Sequence, residues 1–219
     1  SIEGFYKHSA SSVKPHLMVG FNRRFAPQIQ KMKQLLSTVK QPKTFIMTMN
    51  AGAIPSDHWT QDPEVGGGRI IGEACHFIDL MRFLAGSKIT SYQVQGMGAQ
   101  FDQDLVEDKA CITLAFEDGS FGTIFYLANG SNAFPKERIE VFAGGKVLQL
   151  DNFRKMTGYG WSGFKKMNLW RQDKGQENCV QAFVDAIEKG THTPIPLDEI
   201  IEVAQVTIET AQLLREKQV

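Results

Sequence analysis

One stretch of the chain, GGGRIIGEACHFIDLMRFLAG from Gly66 to Gly86, gathers residues able to move a proton. Glu73, His76 and Asp79 stand three apart, so on a helix neighbouring pairs share a face. An imidazole with a pKa near neutrality can accept the proton of a hydroxyl, and a carboxylate beside it can fix its tautomer and stabilise its charged form. These residue types at this spacing make His76 the candidate general base, with Glu73 and Asp79 supporting it. A helix histidine that only hydrogen-bonds its surroundings is the plainer alternative. The glycines ahead allow positive φ and close backbone approach where the first helical amides lack partners. Gly67 and Gly68 are thus candidate contacts for a substrate oxygen, or simply a hinge. Glu73-x-x-His76 also has the spacing of carboxylate-bridged dimetal bundles, but the further Glu and Glu-x-x-His ligands are missing, so no metal is expected.

Two other places could touch a ligand. His58 and Trp59 precede the glycines, and an aromatic face packs well against a pyranose. Asn22, Arg23 and Arg24 follow the apolar run HLMVGF, a strand end of the kind where α/β sheets present ligand contacts. A solvated basic turn explains the arginines equally well. A literal GxGxxG at Gly158, Gly160 and Gly163, with Asp185 further on, reads as a decoy. The dinucleotide motif needs a strand before it, a helix opening at it and a second strand ending at the acid, whereas Asp185 sits inside a helical pattern.

The elements that must hold these residues follow from periodicity. Ile29, Met32, Leu35 and Leu36 behind Pro27 predict a helix over 26–39, and Phe45, Met47 and Met49 alternate as in a half-buried strand over 43–49. The 70–84 segment has helical spacing with Gly86 as its stop. From Ile89 to Trp170 the pattern alternates between turn signals such as Asp118-Gly119 and Gly144-Gly145, predicting an antiparallel meander of five or more strands. Two helices close the chain: 177–188, with Val180, Phe183, Val184 and Ile187 on one apolar face, and 197–216. The expected fold class is α+β, a large predominantly antiparallel open β-sheet with helices packed on one face. Val94, Ile112, Leu114, Ile124 and Tyr126 are too many, on this reading, all to lie beneath helices, so some are expected on an open sheet face available to a second subunit.

Bulk properties narrow the partners. The 219 residues suffice for one sizeable core, and 24 basic residues balance 24 acidic ones, so no net field draws the chain to nucleic acid or an anionic membrane. Three scattered cysteines, Cys75, Cys111 and Cys179, suit a reducing compartment, and no apolar run approaches a bilayer span of about 18 residues. A cytoplasmic protein is expected. Ser1 in place of Met, and a polar lead before HLMVGF, read as a start inside a longer protein.

The Gly66–Asp79 segment, preceded by HWTQDPEV and followed later by ENCVQAFVDAIEKG and a last helix, resembles the C-terminal domain of the glucose-fructose oxidoreductase / inositol dehydrogenase (Gfo/Idh/MocA) family. That family's pattern is GGG, three residues, Asp, three residues, His, two residues, Asp. The chain matches at the glycines, His76 and Asp79, but has Gly72 in place of the first aspartate, with Glu73 one position later. Whether Glu73 substitutes or the chemistry differs stays open. HLMVGFNRRFAP, over 16–27, resembles the family's junction between its two domains.

The resemblance implies residues 1–25 as remnant of and junction from an N-terminal Rossmann domain, and 26–219 as a C-terminal substrate and oligomerisation domain. It implies an NAD(P)-dependent oxidoreductase acting on a sugar, polyol or related hydroxy compound. NAD or NADP would be bound mainly by the N-terminal domain, and this stretch alone would be inactive. His76, Glu73 and Asp79 would be catalytic; Arg24, Asn22, His58, Trp59, Gly67 and Gly68 would contact substrate; Arg23 is the one candidate cofactor contact. A homo-oligomer through the open sheet face is expected, and the alternative is a non-catalytic dimerisation module of a redox-inactive relative.

Overall fold

The computed structural model describes Ile2, Gly4, Tyr6 and residues 15–55, 57–62, 64–97 and 108–216. A short 3-10 turn, Asn22–Phe25, leads into α1 (Pro27–Leu36), where Pro27 occupies the first turn and Ile29, Met32 and Leu36 turn inward. After β1 (Thr44–Asn50), a π turn at Ile70–Ala74 runs into α2 (Cys75–Ala85). Gly86, at φ 71°, closes α2 in the left-handed conformation that glycine adopts without a Cβ clash. Seven strands follow: β2 (Ile89–Gly96), β3 (Lys109–Phe116), β4 (Phe121–Leu127), β5 (Glu137–Ala143), β6 (Lys146–Asp151), β7 (Lys155–Tyr159) and β8 (Lys166–Asn168). The described part ends with α3 (Gln176–Glu188) and α4 (Leu197–Glu216).

The eight strands form one sheet in the order β2-β3-β4-β1-β5-β6-β7-β8, antiparallel except where β1 runs parallel to β4. The fold is α+β with a large open, mostly antiparallel sheet. Its connectivity is less simple than an uninterrupted meander, because β1 separates β4 from β5 and divides the hairpins into two runs. Alternate residues of the central strands are buried, among them Phe45, Met47, Ile112, Ile124, Ile139 and Leu148, and they join the inner faces of α1, α2 and α4 in a single core. Gly122 marks the closest approach to α2: a Cβ there would lie 2.5 Å from the Phe45 Cβ and 2.8 Å from the Met81 sulfur.

Register corrects the expected outward-facing set. Val94 pairs with Ile112 and Ile112 with Ile124, so these share a face with Leu114 and Tyr126, and all five are buried. The opposite face carries Ile46, Phe121, Phe125, Phe142 and Tyr159, each between 37% and 54% exposed. The apolar face of α3 also differs from a core-facing stripe, since Cys179 and Ala186 are buried whereas Val180, Val184 and Ile187 are exposed. The Gly158–Gly163 motif lies on β7 and the turn into β8; Gly158 packs against the Phe164 ring, where a Cβ would come within 2.6 Å. It opens no helix. Residues 15–20 hold no regular structure, so the apolar run before Asn22 is not a strand here.

Candidate active site around His76

The junction turn places Arg23 and Arg24 on diverging sides, as consecutive residues of a tight helical turn must be. Arg23 donates from Nε and Nη2 to Glu137 at the start of β5 (3.0 and 3.1 Å) and lies 5.0 Å over the Phe77 ring. The same carboxylate accepts from Lys174 Nζ at 2.5 Å. Burial pushes the Glu137 carboxyl up, but the Arg23 hydrogen bonds and charge, with Lys174, hold it below the usual carboxylate range. Arg24 donates to both Asp79 oxygens, and to Glu199 of α4 at 3.0 Å. Two buried ion clusters therefore bind the junction to α2, to the sheet and to α4.

His76 sits in the first turn of α2, half-buried, its ring edge-on to Phe21 at 6.0 Å. Burial lowers its pKa to about 4, and the Arg23 charge acts in the same direction. The ring is therefore uncharged at neutral pH, the form that accepts a proton. Its Nδ1 has no hydrogen-bond partner among the described residues. Neither Glu73 nor Asp79 bonds to it; each carboxylate has other partners. Asp79 points into the interior at Arg24, and burial raises its pKa to about 6 against the pull of that arginine. Glu73 accepts the Tyr126 hydroxyl at 2.5 Å and Lys136 at 3.1 Å, with Arg69 at 3.3 Å. Desolvation raises the Glu73 carboxyl, yet Tyr126, Lys136 and Arg69 together hold it low. Gly72 is exposed, with only the Gly66 carbonyl within 4.0 Å of where a Cβ would stand.

The glycine loop is more tightly bound than an open anion cradle. Gly67 and Gly68 do adopt positive φ, at 72° and 82°. The amides of Gly66 and Gly67, however, both donate to the Asp62 carbonyl (2.8 and 3.0 Å), and a Cβ on Gly66 would collide with the Trp59–Thr60 backbone. The Gly67 amide is thus committed, and its carbonyl accepts from Arg215 at 2.7 Å. Arg69 donates to the carbonyls of Gly52 and Ala51 and stacks 5.4 Å from the Tyr126 ring. His58 caps the turn Trp59–Gln61 through Thr60, and Trp59 is largely exposed beside it, the rings 5.9 Å apart. Asn22 donates to the Lys174 carbonyl.

Of the residues read from sequence, the junction and α2 bring His76 and Arg23 together, and Phe21, which the sequence reading did not single out, meets the His76 ring. Arg24 and Asp79 are internal, and His58 and Trp59 stand on the surface of the preceding loop. Sequence reasoning missed Glu137, Lys174, Arg69 and Tyr126. Glu137 did leave a trace: it falls on the same strand parity as buried Ile139, Val141 and Ala143, where a carboxylate must have a partner. Among the described residues no group of three or more His, Cys, Asp or Glu side chains could hold a metal ion, and no helix is long and apolar enough to cross a membrane.

Comparison with known proteins agrees with this architecture. The model of the GFO/IDH/MocA C-terminal domain matches residues 29–145. An uncharacterised oxidoreductase, YrbE, of Bacillus subtilis is 28% identical over 93% of the chain and 63% of its own length. The myo-inositol 2-dehydrogenase of Thermotoga maritima is 26% identical over 64% of the chain and 42% of its own length. Thus the chain spans less than two thirds of the curated relatives it matches. A levoglucosan dehydrogenase solved with NADH and levoglucosan superposes with a TM-score of 0.76 over 93% of the chain and 65% of its own, at 16% identity. An oxidoreductase domain protein of Kribbella flavida gives 0.75 at 18% identity, over 93% of the chain and 66% of its own. At those identities the likeness is one of fold. With the family model matched over more than half its length, the chain belongs to the GFO/IDH/MocA C-terminal domain family.

Proposed function

We propose that residues 26–219 form the substrate and oligomerisation unit of an NAD(P)-dependent oxidoreductase acting on a sugar, polyol or related hydroxy compound, with residues 1–25 as the junction from a nucleotide-binding unit. The observation that carries this reading is His76: a partly buried, uncharged imidazole at the start of α2, whose buried Nδ1 has no hydrogen-bond partner among the described residues. Oxidising a hydroxyl to a carbonyl requires a base for the hydroxyl proton, and this ring is in the accepting form at neutral pH. Arg24 and Asp79 hold α2 against the junction; Glu73, fixed by Tyr126 and Lys136, is a positioning residue. Trp59 and His58 give an exposed aromatic wall for an apolar sugar face, and Gly68 lines the helix opening. Asn22 and Gly67 remain candidates through the groups their present bonds leave over.

The one glycine motif of the right form is a hairpin, and the Arg23 guanidinium is committed to Glu137. We assign NAD or NADP mainly to the unit outside this stretch. Inositol and levoglucosan dehydrogenases among the similar proteins support a polyol or sugar as substrate class.

In the polypeptide carrying both units, His76→Ala should lower kcat/KM by about two to four orders of magnitude, the span of a positioned acid–base group. An unchanged rate on the best of a panel of sugars and polyols removes His76 from the chemistry. The second reading, a redox-inactive dimerisation module, is favoured by Gly72 standing where the family pattern has aspartate. It predicts no turnover on that panel, with self-association through the exposed sheet face retained.

A further inference from the structure

Two carboxylates act on the His76 ring, Glu137 and Glu73, and each is held by more positive charge than it needs. Glu137 is fully buried and accepts from Arg23 Nε and Nη2 at 3.0 and 3.1 Å, a paired fork that already neutralises it. Lys174 nevertheless lies 2.5 Å from the same group. Glu73 is held in the same manner, by Arg69 at 3.3 Å and Lys136 at 3.1 Å. Asp108, 3.8 Å from Arg69, is itself paired with Lys109 at 3.3 Å, so it leaves the excess in place. Each cluster thus has two cations for one anion. In both, the arginine is the sunken member, its side chain 7% exposed for Arg23 and 3% for Arg69, and the lysine is more open, 17% for Lys174 and 45% for Lys136. Gly72 has no side chain to supply a balancing carboxylate, and only the Gly66 carbonyl stands within 4.0 Å of its Cβ position.

Surplus cations beside a base call for an anion. A carboxylate already matched by a buried arginine gains little from a second cation, while an ammonium drawn partly out of water loses hydration. Each lysine has three N–H donors and gives one to its carboxylate, so among the described residues donors are left over at the open end of both clusters. The whole chain has 24 basic and 24 acidic residues, so the excess is local to the site and does not reflect a basic protein. We infer that the compound held at His76 is itself an anion, a hydroxy compound bearing a carboxylate or phosphate, which Lys136 and Lys174 select over its uncharged counterpart. This rests on the proposed proton-accepting role of His76 and goes beyond it by fixing the charge of the substrate. The competing use of the same field is to steady the alkoxide of an uncharged polyol as its proton leaves. Two lysines on separate clusters, each with donors to spare, favour a full ligand charge over one developing on a single oxygen.

The test uses the polypeptide carrying both units, assayed on glucose and galactose, each beside its uronate and its monophosphate. The better acid should exceed its uncharged sugar in kcat/KM by at least about tenfold, as a charge-assisted contact gives, and the uronate and phosphate arms show which anion is meant. Lys136→Gln and Lys174→Gln should each shrink that ratio, chiefly through the KM of the acid, and added salt should narrow it as well. Lys136→Arg, which keeps the charge, should preserve it. An uncharged sugar used as well as its acids overturns the inference. So does a loss in the glutamine variants that is equal for acid and uncharged sugar, which would give the lysines to the alkoxide. If nothing turns over, the same ligands are compared by the melting temperature of the polypeptide. A rise with uronate or phosphate that is absent with the sugar and smaller in Lys136→Gln sinks the redox reading and leaves the anion site standing. Equal or absent shifts overturn the inference.

Discussion

His76 and Asp79 lie one turn apart on α2, yet burial moves their proton affinities in opposite senses. The imidazole is depressed to about 4 from its ordinary 6.5. The unfolded chain therefore binds its proton first, and His76's contribution to stability is complete above 6.5 and lost as pH falls towards about 4. Asp79 is raised to about 6 from 3.8, so its contribution is complete below 3.8 and lost as pH rises through about 6. Between these limits the two trends oppose. Replacing His76 by Gln removes one of them, so the stability of the unsubstituted chain minus that of the variant should shrink steadily as pH is lowered from about 6.5 to about 4.5, as followed by urea unfolding. A difference that stays level across that range means the ring titrates normally and is not desolvated. The same contrast explains why spacing misled. Three-residue steps put Glu73, His76 and Asp79 near one another along the helix, but Arg24 draws Asp79 inward, and Tyr126 and Lys136 draw Glu73 towards the sheet.

The elements themselves were largely legible. Pro27, Gly86 and the paired turn residues Asp118-Gly119 and Gly144-Gly145 act through local backbone geometry, and helices and strands begin or end at each. Strand order was not legible, because nothing local in 44–50 says that its neighbours are β4 and β5. Nor was facing: period two divides a strand into two sets, but only register decided that Val94, Ile112 and Ile124 lie under the helices and Phe121 and Phe125 outside. Close approach of elements was equally hidden. At Gly122 the sheet touches α2 with no room for a methyl group, so Gly122→Ala should cost about 1–3 kcal/mol as an overpacked core substitution. Chemical denaturation measures this directly, and a neutral outcome would mean that Phe45 and Met81 yield freely.

At the scale of the whole molecule the unhelixed sheet face dominates. Its aromatic and aliphatic residues alternate with Thr48, Thr113 and Thr123 across adjacent central strands, a surface broad enough for a second sheet to pack on. Phe121→Asp with Phe125→Asp should leave the monomer fold intact and shift sedimentation from dimer to monomer at micromolar concentration. A parent that already sediments as a monomer refutes the oligomerisation role. The placement of β1 has a further consequence, for synthesis of the chain. Translated early, this central strand finds both lateral neighbours only when β4 and β5 have left the ribosome, so a nascent chain halted near residue 115 holds an apolar ribbon with two empty hydrogen-bonding edges. Such a chain should be protease-sensitive at 44–50 and a client for holding chaperones, whereas one halted far enough past Ala143 for β5 to have emerged should protect that segment.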